Sequence, residues 1–519
     1  MKPVLIGYGE TSVGESLDCG YEELNMWATR EALRDVDLEP DDIDGLIATA
    51  PFRKERFPLP LLIEHLGIAP LNFAELTGVG GASHVNSINR ATDAIESGQA
   101  ETILVVAADA LHSDIGPPTV IEELADSVSE FEEPANIVPS LYAHVANWHI
   151  DTFGTTRKQL AEIAAITHEH ASLQRAERAH RQEAKSADEI LDSPMVATPL
   201  TADQCALISD GGAAFIVTSE EKAAELNRVP IRLTGFGARH THDHISQMPS
   251  FEETGAGEAG QRAMAEAAVD HADIDVLQIY DCFTITVLRI LEDLGFCERG
   301  DGGDLIDSGA LRVTGKWPLN THGGALAQAH PGMPCGIFHI TEAIRQLQGR
   351  AEATQVEDAS TALVHGNGGS SQRKQWRSLN EVSVMPTNKP IPTPTTEYER
   401  QYWQRVANGN VCIVRCQACA HVYHPPRRYC PDCYSNEWKF ESIAGTGTVY
   451  GYTCIHRPPP RFASDAPIVS AIITLDEGPR LMGRVACDSE AIAVGSRVRL
   501  DTSKLSSDNV RLTFELLTK

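Results

Sequence analysis

The chain has 519 residues, of which 42% are hydrophobic and 22% charged, and its formal net charge is −29. This composition predicts a globular protein of two to four domains. It argues against a membrane span, which needs an apolar run of about 20 residues, and against nucleic-acid binding, which needs a basic surface. The opening Met1-Lys-Pro-Val-Leu-Ile-Gly-Tyr-Gly resembles a first β-strand rather than a signal peptide, so we expect a cytoplasmic protein.

Apolar strands and amphipathic helices alternate through residues 1–380, which is typical of α/β layers. A break near Pro230 divides this region into an N-terminal half, 1–229, and a C-terminal half, 230–380. The predicted elements are a helix around 21–35, a strand over 44–50, a turn and strand over 206–217, a strand over 276–280, a helix over 284–294 and a strand over 360–365.

The most informative stretch begins with the glycine-rich turn at Gly78 and continues to residue 109. The turn runs into a helix whose apolar side chains share one face, and Gly98 is a suitable residue to end it in a left-handed turn. The unbroken apolar run from Ile103 to Ala107 predicts a strand buried on both faces. The apolar helical positions are Val85, Ile88, Ala91 and Ile95.

The composition changes at residues 381–396, where four prolines favour an extended, semi-rigid linker. Beyond it, residues 397–441 hold a short helix over 398–406 and two Cys-x-x-Cys pairs ten residues apart. Four thiolates at that spacing predict a tetrahedral structural Zn²⁺ with no open position for water; a redox Cys-x-x-Cys is the alternative. The ligands are Cys416, Cys419, Cys430 and Cys433.

Short alternating β-runs recur from 442 to 519 and predict a small barrel. Examples lie at 445–454, 468–475, 480–485 and 498–500.

Residues 1–380 resemble the thiolase superfamily, in particular its sterol-carrier-protein branch of lipid-transfer proteins. The similarity lies in Gly81-Ala-Ser-His84, Tyr280-Asp-Cys-Phe-Thr284, Leu319-Asn-Thr-His-Gly-Gly324, Ala329-His-Pro-Gly332 and His365-Gly-Asn-Gly-Gly369. Residues from about 397 resemble the zinc-ribbon plus OB-fold proteins that pair with such thiolases. The resemblance implies a five-layer αβαβα fold from two similar halves, a rubredoxin-like ribbon, an OB-fold, a homodimer and a CoA thioester substrate, which the OB-fold module helps to hold.

Carried over residue by residue, the resemblance puts Gly81 where thiolases have their nucleophilic Cys. Tyr280 replaces the Asn that orders a water in the oxyanion hole, and His365 replaces the second, proton-shuttling Cys. His330 retains the His of the Gly-His-Pro turn. With both cysteines missing, ordinary thiolysis should be absent.

The remaining groups suit thioester enolate chemistry. Tyr280, His330 and His365 can move protons or donate to a developing negative charge, and His322 in a glycine-flanked turn is a further catalytic candidate. Thiolase-like steroid aldolases similarly lack the cysteines and rely on tyrosines, but their second tyrosine near the His-Pro turn is missing here, so the base stays open. Predicted contacts with the CoA ester are Ser83, most simply a helix N-cap, His84, Gly323, Gly324, Gly368 and Gly369.

These features predict an aldolase-type C–C lyase that cleaves or forms a β-hydroxyacyl-CoA without a Cys nucleophile. The alternatives are a thiolase or acyltransferase with an unusual nucleophile, such as Ser83 or Cys282, and a non-catalytic acyl-CoA or lipid-binding scaffold that recruits a hydratase. The acyl group stays open between a steroid side chain, an aromatic acid and a branched short chain.

Overall fold

The computed structural model describes residues 1–52, 57–121, 133, 135–226, 228–242, 245–368, 397–505 and 510–517. The predicted linker over 381–396, and Gly369 of the final glycine-rich turn, lie outside these residues. In the described part of the chain, no helix combines the length and apolarity that crossing a membrane requires.

Five strands of the N-terminal half and β8, which follows Pro230, form a mixed sheet of six strands in the order β3-β2-β4-β7-β1-β8. β4 is buried along its whole length, as its apolar run predicts, and it pairs parallel to β2 and antiparallel to β7. The strands of residues 1–368 are β1 (Pro3–Glu10), β2 (Gly45–Thr49), β3 (Phe73–Thr77), β4 (Thr102–Ala110), β5 (Met195–Ala197), β6 (Leu200–Thr201), β7 (Asp210–Ser219), β8 (Ile231–Arg232), β9 (Val276–Ile279) and β10 (Ala362–His365).

Helices cover both faces of this sheet, and the helix predicted after the glycine-rich turn is α3, with Gly98 beyond its end at a φ of 71°. The helices are α1 (Tyr21–Val36), α2 (Pro58–Leu66), α3 (Ser83–Glu96), α4 (Val138–Phe153), α5 (Arg157–Ser172), α6 (Ala187–Asp192), α7 (Glu220–Ala223), α8 (Ala256–Ala267), α9 (Thr284–Leu294), α10 (Gly302–Asp307), α11 (Gly324–Ala327), α12 (Ile337–Leu347) and α13 (Glu397–Ala407).

The C-terminal half places β9 and β10 side by side and parallel, with Ile279 opposite His365. Parallel strands end at the same edge of a sheet, so the turns after Ile279 and after His365 meet there. Helix α12 packs against both strands. This arrangement brings together motifs that are far apart in the sequence.

Beyond the linker, α13 precedes a three-stranded zinc ribbon of order β12-β11-β13 and a barrel whose longest strand is β14. These elements confirm the predicted ribbon and OB-fold. Their strands are β11 (Cys412–Cys416), β12 (Val422–Tyr423), β13 (Trp438–Ser442), β14 (Thr446–Ile455), β15 (Ile468–Leu475), β16 (Arg480–Val485), β17 (Arg497–Leu500) and β18 (Thr513–Leu516).

The barrel is joined to the thiolase-like part by backbone pairing as well as by side chains. The β5–β6 hairpin continues the barrel sheet, since Ala197 pairs with Ile455 of β14. On α4, the Asn147 side-chain amide donates to the Tyr452 and Thr198 carbonyl oxygens, both at 2.9 Å. Nothing in the local sequence of the hairpin predicts this partner, because strand pairing depends on residues more than 250 positions away.

Candidate active site

The turn before α3 and the turn after β9 meet at Gly81 and Tyr280. A Cβ atom at position 81 would lie 2.1 Å from Tyr280 Cε2 and 2.3 Å from Cζ, which is far inside van der Waals contact. The phenol ring therefore occupies the space that a side chain at position 81 would need. At the position that resembles the thiolase nucleophile, the side chain is therefore replaced by the phenol ring of Tyr280, which comes from the turn after β9.

The Tyr280 hydroxyl lies 3.1 Å from Nε2 of His330, so these two predicted residues form a hydrogen-bonded pair. The turn that carries His330 is held by Ser209, whose Oγ accepts from the His330 amide at 2.9 Å and whose amide donates to the His330 carbonyl. Ser209 was missed in the sequence, because its role depends on two turns that are 121 residues apart.

Burial keeps both members of this pair neutral near pH 7. Loss of hydration raises the pKa of Tyr280 well above its usual value of 10, and the neighbouring Cys335, Cys282, Tyr142 and Asp281 add to the rise. The same effect lowers the pKa of His330 to about 4. The protonated Tyr280 phenol and the unprotonated His330 imidazole can each donate or accept the hydrogen bond between them. Their roles depend on which imidazole nitrogen carries the proton.

The carboxylate of Asp281 orients this turn from below. It accepts from the Ala325 amide at 2.7 Å and the Leu326 amide at 3.3 Å, in the first turn of α11. His339 Nε2 lies 3.3 Å from the same carboxylate.

Gly324 allows Asp281 to approach α11 closely, because a Cβ atom at position 324 would lie 2.0 Å from Asp281 Oδ2. Neighbouring Gly323 has a φ of 108° and packs on Ala171. Both glycines thus make protein contacts, and their predicted contact with the CoA ester stays a prediction.

The two other predicted histidines occupy different positions relative to Tyr280. His365 ends β10, its carbonyl accepts from the Tyr280 amide at 3.2 Å, and its Nδ1 has no partner in the residues described. His322 lies one layer deeper: its ring contacts that of His339 at 5.0 Å, and His339 in turn lies 5.9 Å from Tyr280. Loss of hydration lowers the pKa of His365 to about 4 and that of His322 well below 6.5.

Ser83 does not cap α3 as expected. The N-cap position is Ala82, and the Ser83 hydroxyl instead accepts from the Val79 amide at 2.8 Å, four residues earlier. His84 is fully buried, and its Nε2 lies 3.1 Å from the Met333 carbonyl. Gly368 packs on the Val79 carbonyl, where a Cβ would lie 2.7 Å away. Ser83, His84 and Gly368 therefore all lie where the turn before α3 meets the turns that contain Met333 and Gly368.

Two thiols lie close to Tyr280, but neither is activated. Burial raises the pKa of Cys282 to about 12 and that of Cys335 well above 9, whereas a nucleophilic thiol needs a lowered pKa. The Cys335 thiol hydrogen-bonds the Ala329 carbonyl at 3.7 Å. It was missed because a lone Cys in a Met-Pro-Cys-Gly turn shows no catalytic pattern.

A second tyrosine, Tyr142 of α4, also reaches the site and was likewise missed. Its ring stacks on Phe283 with centroids 4.4 Å apart, and its hydroxyl accepts from Asn367 Nδ2 at 3.3 Å. The residue lies on an apolar helix, where an aromatic side chain ordinarily indicates core packing.

Four cysteines form the predicted metal site. Their sulfur atoms all lie within 4.8 Å of one another, with Cys416 and Cys433 at 3.6 Å and Cys419 and Cys430 at 3.7 Å. Tetrahedral Zn–S bonds of about 2.3 Å require sulfurs about 3.8 Å apart, so the cysteines fit a structural Zn²⁺. Convergence of all four thiols disfavours a two-cysteine redox site.

Family models match three regions of the chain. They are a thiolase C-terminal domain-like model at residues 237–377, the rubredoxin-like zinc ribbon domain of ChsH2 at 403–438 and the C-terminal OB-fold domain of ChsH2 at 441–503. The matches cover the ribbon and barrel that the fold shows.

Two of the relatives have different activities in their names. The chain is 30% identical over 375 residues to an acetyl-CoA acetyltransferase of Methanothermobacter thermautotrophicus, covering 70% of this chain and 96% of that protein. It is 28% identical over 360 residues to the 17-hydroxy-3-oxo-4-pregnene-20-carboxyl-CoA lyase of Mycobacterium tuberculosis, covering 66% of this chain and 91% of that enzyme.

Among solved structures, an Ltp2-ChsH2(DUF35) aldolase superposes with a TM-score of 0.62 at 26% identity, covering 71% of this chain and 95% of that one. Its name includes ChsH2, the protein whose zinc ribbon and barrel domains match here. The sequence matches, the shared fold and the meeting of the five motifs around Tyr280 lead to one conclusion. This chain belongs to the thiolase family and carries a ChsH2-type zinc ribbon and OB-fold in its C-terminal part.

Proposed function

We propose that this protein is an aldolase-type C–C lyase acting on a β-hydroxyacyl-CoA through a thioester enolate. The observation that carries the proposal is the Tyr280–His330 pair in the space of the missing nucleophile side chain. A retro-aldol reaction needs a base for the β-hydroxyl and donors for the enolate, but no covalent intermediate. The aldolase and CoA lyase among its relatives support this choice.

The pair supplies the base as a relay. The β-hydroxyl proton passes to the Tyr280 oxygen while the Tyr280 proton passes to His330 Nε2. Electrons of the β-oxygen then form the carbonyl, the Cα–Cβ bond breaks, and its electron pair becomes the thioester enolate. The imidazolium that forms is favoured by the charge of nearby Asp281. His365, with a free Nδ1 among the described residues, is the candidate donor to the thioester oxygen.

An acyltransferase is the second candidate, because one of the relatives carries that activity in its name. It would need another nucleophile. Cys282 has a raised pKa, and Ser83 is fully buried with its hydroxyl accepting from Val79. No base contacts Ser83 Oγ among the hydrogen bonds of the described residues. These contacts support the lyase over the transferase.

A product assay by mass spectrometry tests the proposal. The protein would be mixed with β-hydroxyacyl-CoA and β-ketoacyl-CoA esters, each with and without free CoA. We expect a short acyl-CoA and a ketone or aldehyde from a β-hydroxy ester without free CoA. Release only from β-keto esters, and only with free CoA, would establish the transferase. Tight ester binding without turnover of any ester would favour the scaffold.

Assembly and location are further parts of this proposal. We propose a homodimer, supported by β3, an edge strand of the sheet on which Leu76 is exposed. A hydratase is the proposed partner for the ribbon and barrel. A reducing cytoplasm suits a chain whose twelve cysteines are all unpaired. The predicted division at residue 229 and the linker over 381–396 remain proposals as domain boundaries.

A further inference from the structure

Helix α4 brings a phenol to the site from an element that carries none of the thiolase-like motifs. The Tyr142 ring lies on Phe283, three residues after Tyr280, with an interplanar angle of 30°. This stacking fixes the ring in position and leaves its hydroxyl as the only atom available for chemistry. Tyr142 as a whole is only partly buried.

The hydroxyl lies between the two catalytic turns. On one side its neighbour is the sulfur of Cys282, in the turn after β9. On the other side it accepts from Asn367, two residues after His365. A thiol is only a weak acceptor, so the hydroxyl proton of Tyr142 is available to a stronger base. The Asn367 amide would stabilise the phenolate left after proton transfer, because it points at the oxygen that becomes negative.

Carbon–carbon cleavage requires two proton transfers at different atoms. After the first transfer, the extra proton of the Tyr280–His330 pair lies on His330, and Tyr280 faces the β-oxygen rather than Cα. A second acid must then protonate Cα of the enolate before the product leaves. We propose that Tyr142 is this acid, an assignment that rests on the proposed lyase function.

The step balances without a further reactant. The enolate electron pair at Cα takes the Tyr142 proton, a C–H bond forms, and the thioester carbonyl is restored. Tyr142 is left as a phenolate and His330 as an imidazolium, and transfer of one proton between them, through water, resets both. Burial and the Cys282 contact raise the pKa of Tyr142 well above 10, so it stays protonated until the more basic enolate carbon forms.

The test compares two readouts in variants Tyr142→Phe and Tyr280→Phe. The first readout is cleavage of the β-hydroxyacyl-CoA found in the product assay. The second is deuterium uptake at Cα of propionyl-CoA in D2O, with no ketone or aldehyde present: the minor phenolate form of Tyr142 takes the Cα proton, exchanges it with solvent and returns a deuteron. Tyr402→Phe is the matched control, because it removes a buried hydroxyl that hydrogen-bonds His424 in the zinc-ribbon region, outside the thiolase-like part.

We expect Tyr142→Phe to lose both cleavage and exchange by about 100-fold or more, the scale of general acid catalysis. Tyr280→Phe should lose cleavage and retain exchange, and Tyr402→Phe should retain both. Asn367→Ala, which leaves the phenol in place, should slow exchange about tenfold through loss of one hydrogen bond to a charged oxygen.

Exchange at the wild-type rate in Tyr142→Phe would overturn the assignment even if wild-type cleavage is observed. Wild-type exchange that depends on Tyr142, with no cleavage of any β-hydroxy ester, would instead reject the lyase and keep Tyr142 as the Cα acid. If the wild-type protein performs neither reaction, both proposals fail.

Discussion

A side chain at position 81 and the ring of Tyr280 compete for the same space, because a Cβ atom in place of the Gly81 hydrogen would lie 2.1 Å from Tyr280 Cε2. A tyrosine ring at position 280 in this orientation therefore requires glycine at position 81. We expect Gly81→Cys alone to reduce the free energy of unfolding by about 1–3 kcal/mol, the usual cost of overpacking, and so to lower the melting temperature. It should also abolish cleavage, because the new side chain displaces the phenol.

The double variant Gly81→Cys with Tyr280→Asn should relieve that clash, because the smaller amide leaves room for the thiol. Thermal melting measures the recovery, and Tyr280→Asn alone is the control. A double variant that melts no higher than Gly81→Cys would show that the two positions do not share space in solution.

Stability should fall as the pH drops below about 6.5, because burial keeps a group of histidines neutral in the folded state. Their pKa values are lowered to about 4, so between pH 6.5 and 4 the unfolded chain binds more protons than the folded one, and the free energy of unfolding rises with pH. Asp109, with a pKa raised to about 7, opposes this trend, as does Glu133, whose pKa burial also raises. The histidines are His84, His144, His168, His170, His330 and His365.

Urea unfolding at pH 7.5 and at pH 5.5 measures this difference. Most carboxylates keep their charge over that interval, since their usual pKa values lie near 4. Equal free energies at the two pH values would contradict the burial of neutral histidines.

Zinc should be structural and remote from the chemistry. We expect one Zn²⁺ per chain by metal analysis and its loss in Cys430→Ser, whose wild-type thiol is buried. Replacement by Cd²⁺, which also accepts four thiolates, should leave the rate of cleavage unchanged. A strong dependence of the rate on the identity of the metal would instead place the ion in the reaction.

Arg484 forms an ion pair with Glu133 at the junction of the barrel and the thiolase-like part, at 2.8 Å, with the Glu133 side chain only 1% exposed. Arg484→Met should destabilise the protein by about 3–5 kcal/mol, because it leaves a buried carboxylate without its partner. The double variant Arg484→Met with Glu133→Gln should recover part of that loss. Urea unfolding compares them, and a double variant no more stable than the single one would refute the coupling.

The features best predicted from the sequence are those that depend on local patterns. The apolar run at Ile103 indicated a buried strand, helix α9 begins and ends at Thr284 and Leu294 as expected, and the cysteine spacing anticipated four converging thiols. Motif resemblance predicted Tyr280 and His330 as catalytic residues, and only the fold shows that their side chains are hydrogen-bonded to each other.

Residues whose role depends on distant partners could not be identified in this way. Tyr142 resembles a core aromatic until Asn367, 225 residues away, is placed against its hydroxyl. Ser83 matches the pattern of an N-cap, yet the preceding turn competes for its oxygen. His322 occurs in a conspicuous glycine-flanked turn, but His339, which no motif marks, lies between it and Tyr280.

The pairing of Ala197 with Ile455 also determines how the chain responds to cutting. A protease that cleaves within residues 381–396 severs one covalent connection while the shared sheet and the Asn147 bonds persist. The two fragments should therefore elute together and unfold in a single transition. The barrel completes its sheet with a hairpin from the thiolase-like part. It therefore behaves as a tightly associated subunit that is also covalently linked, rather than as an independent domain on a linker.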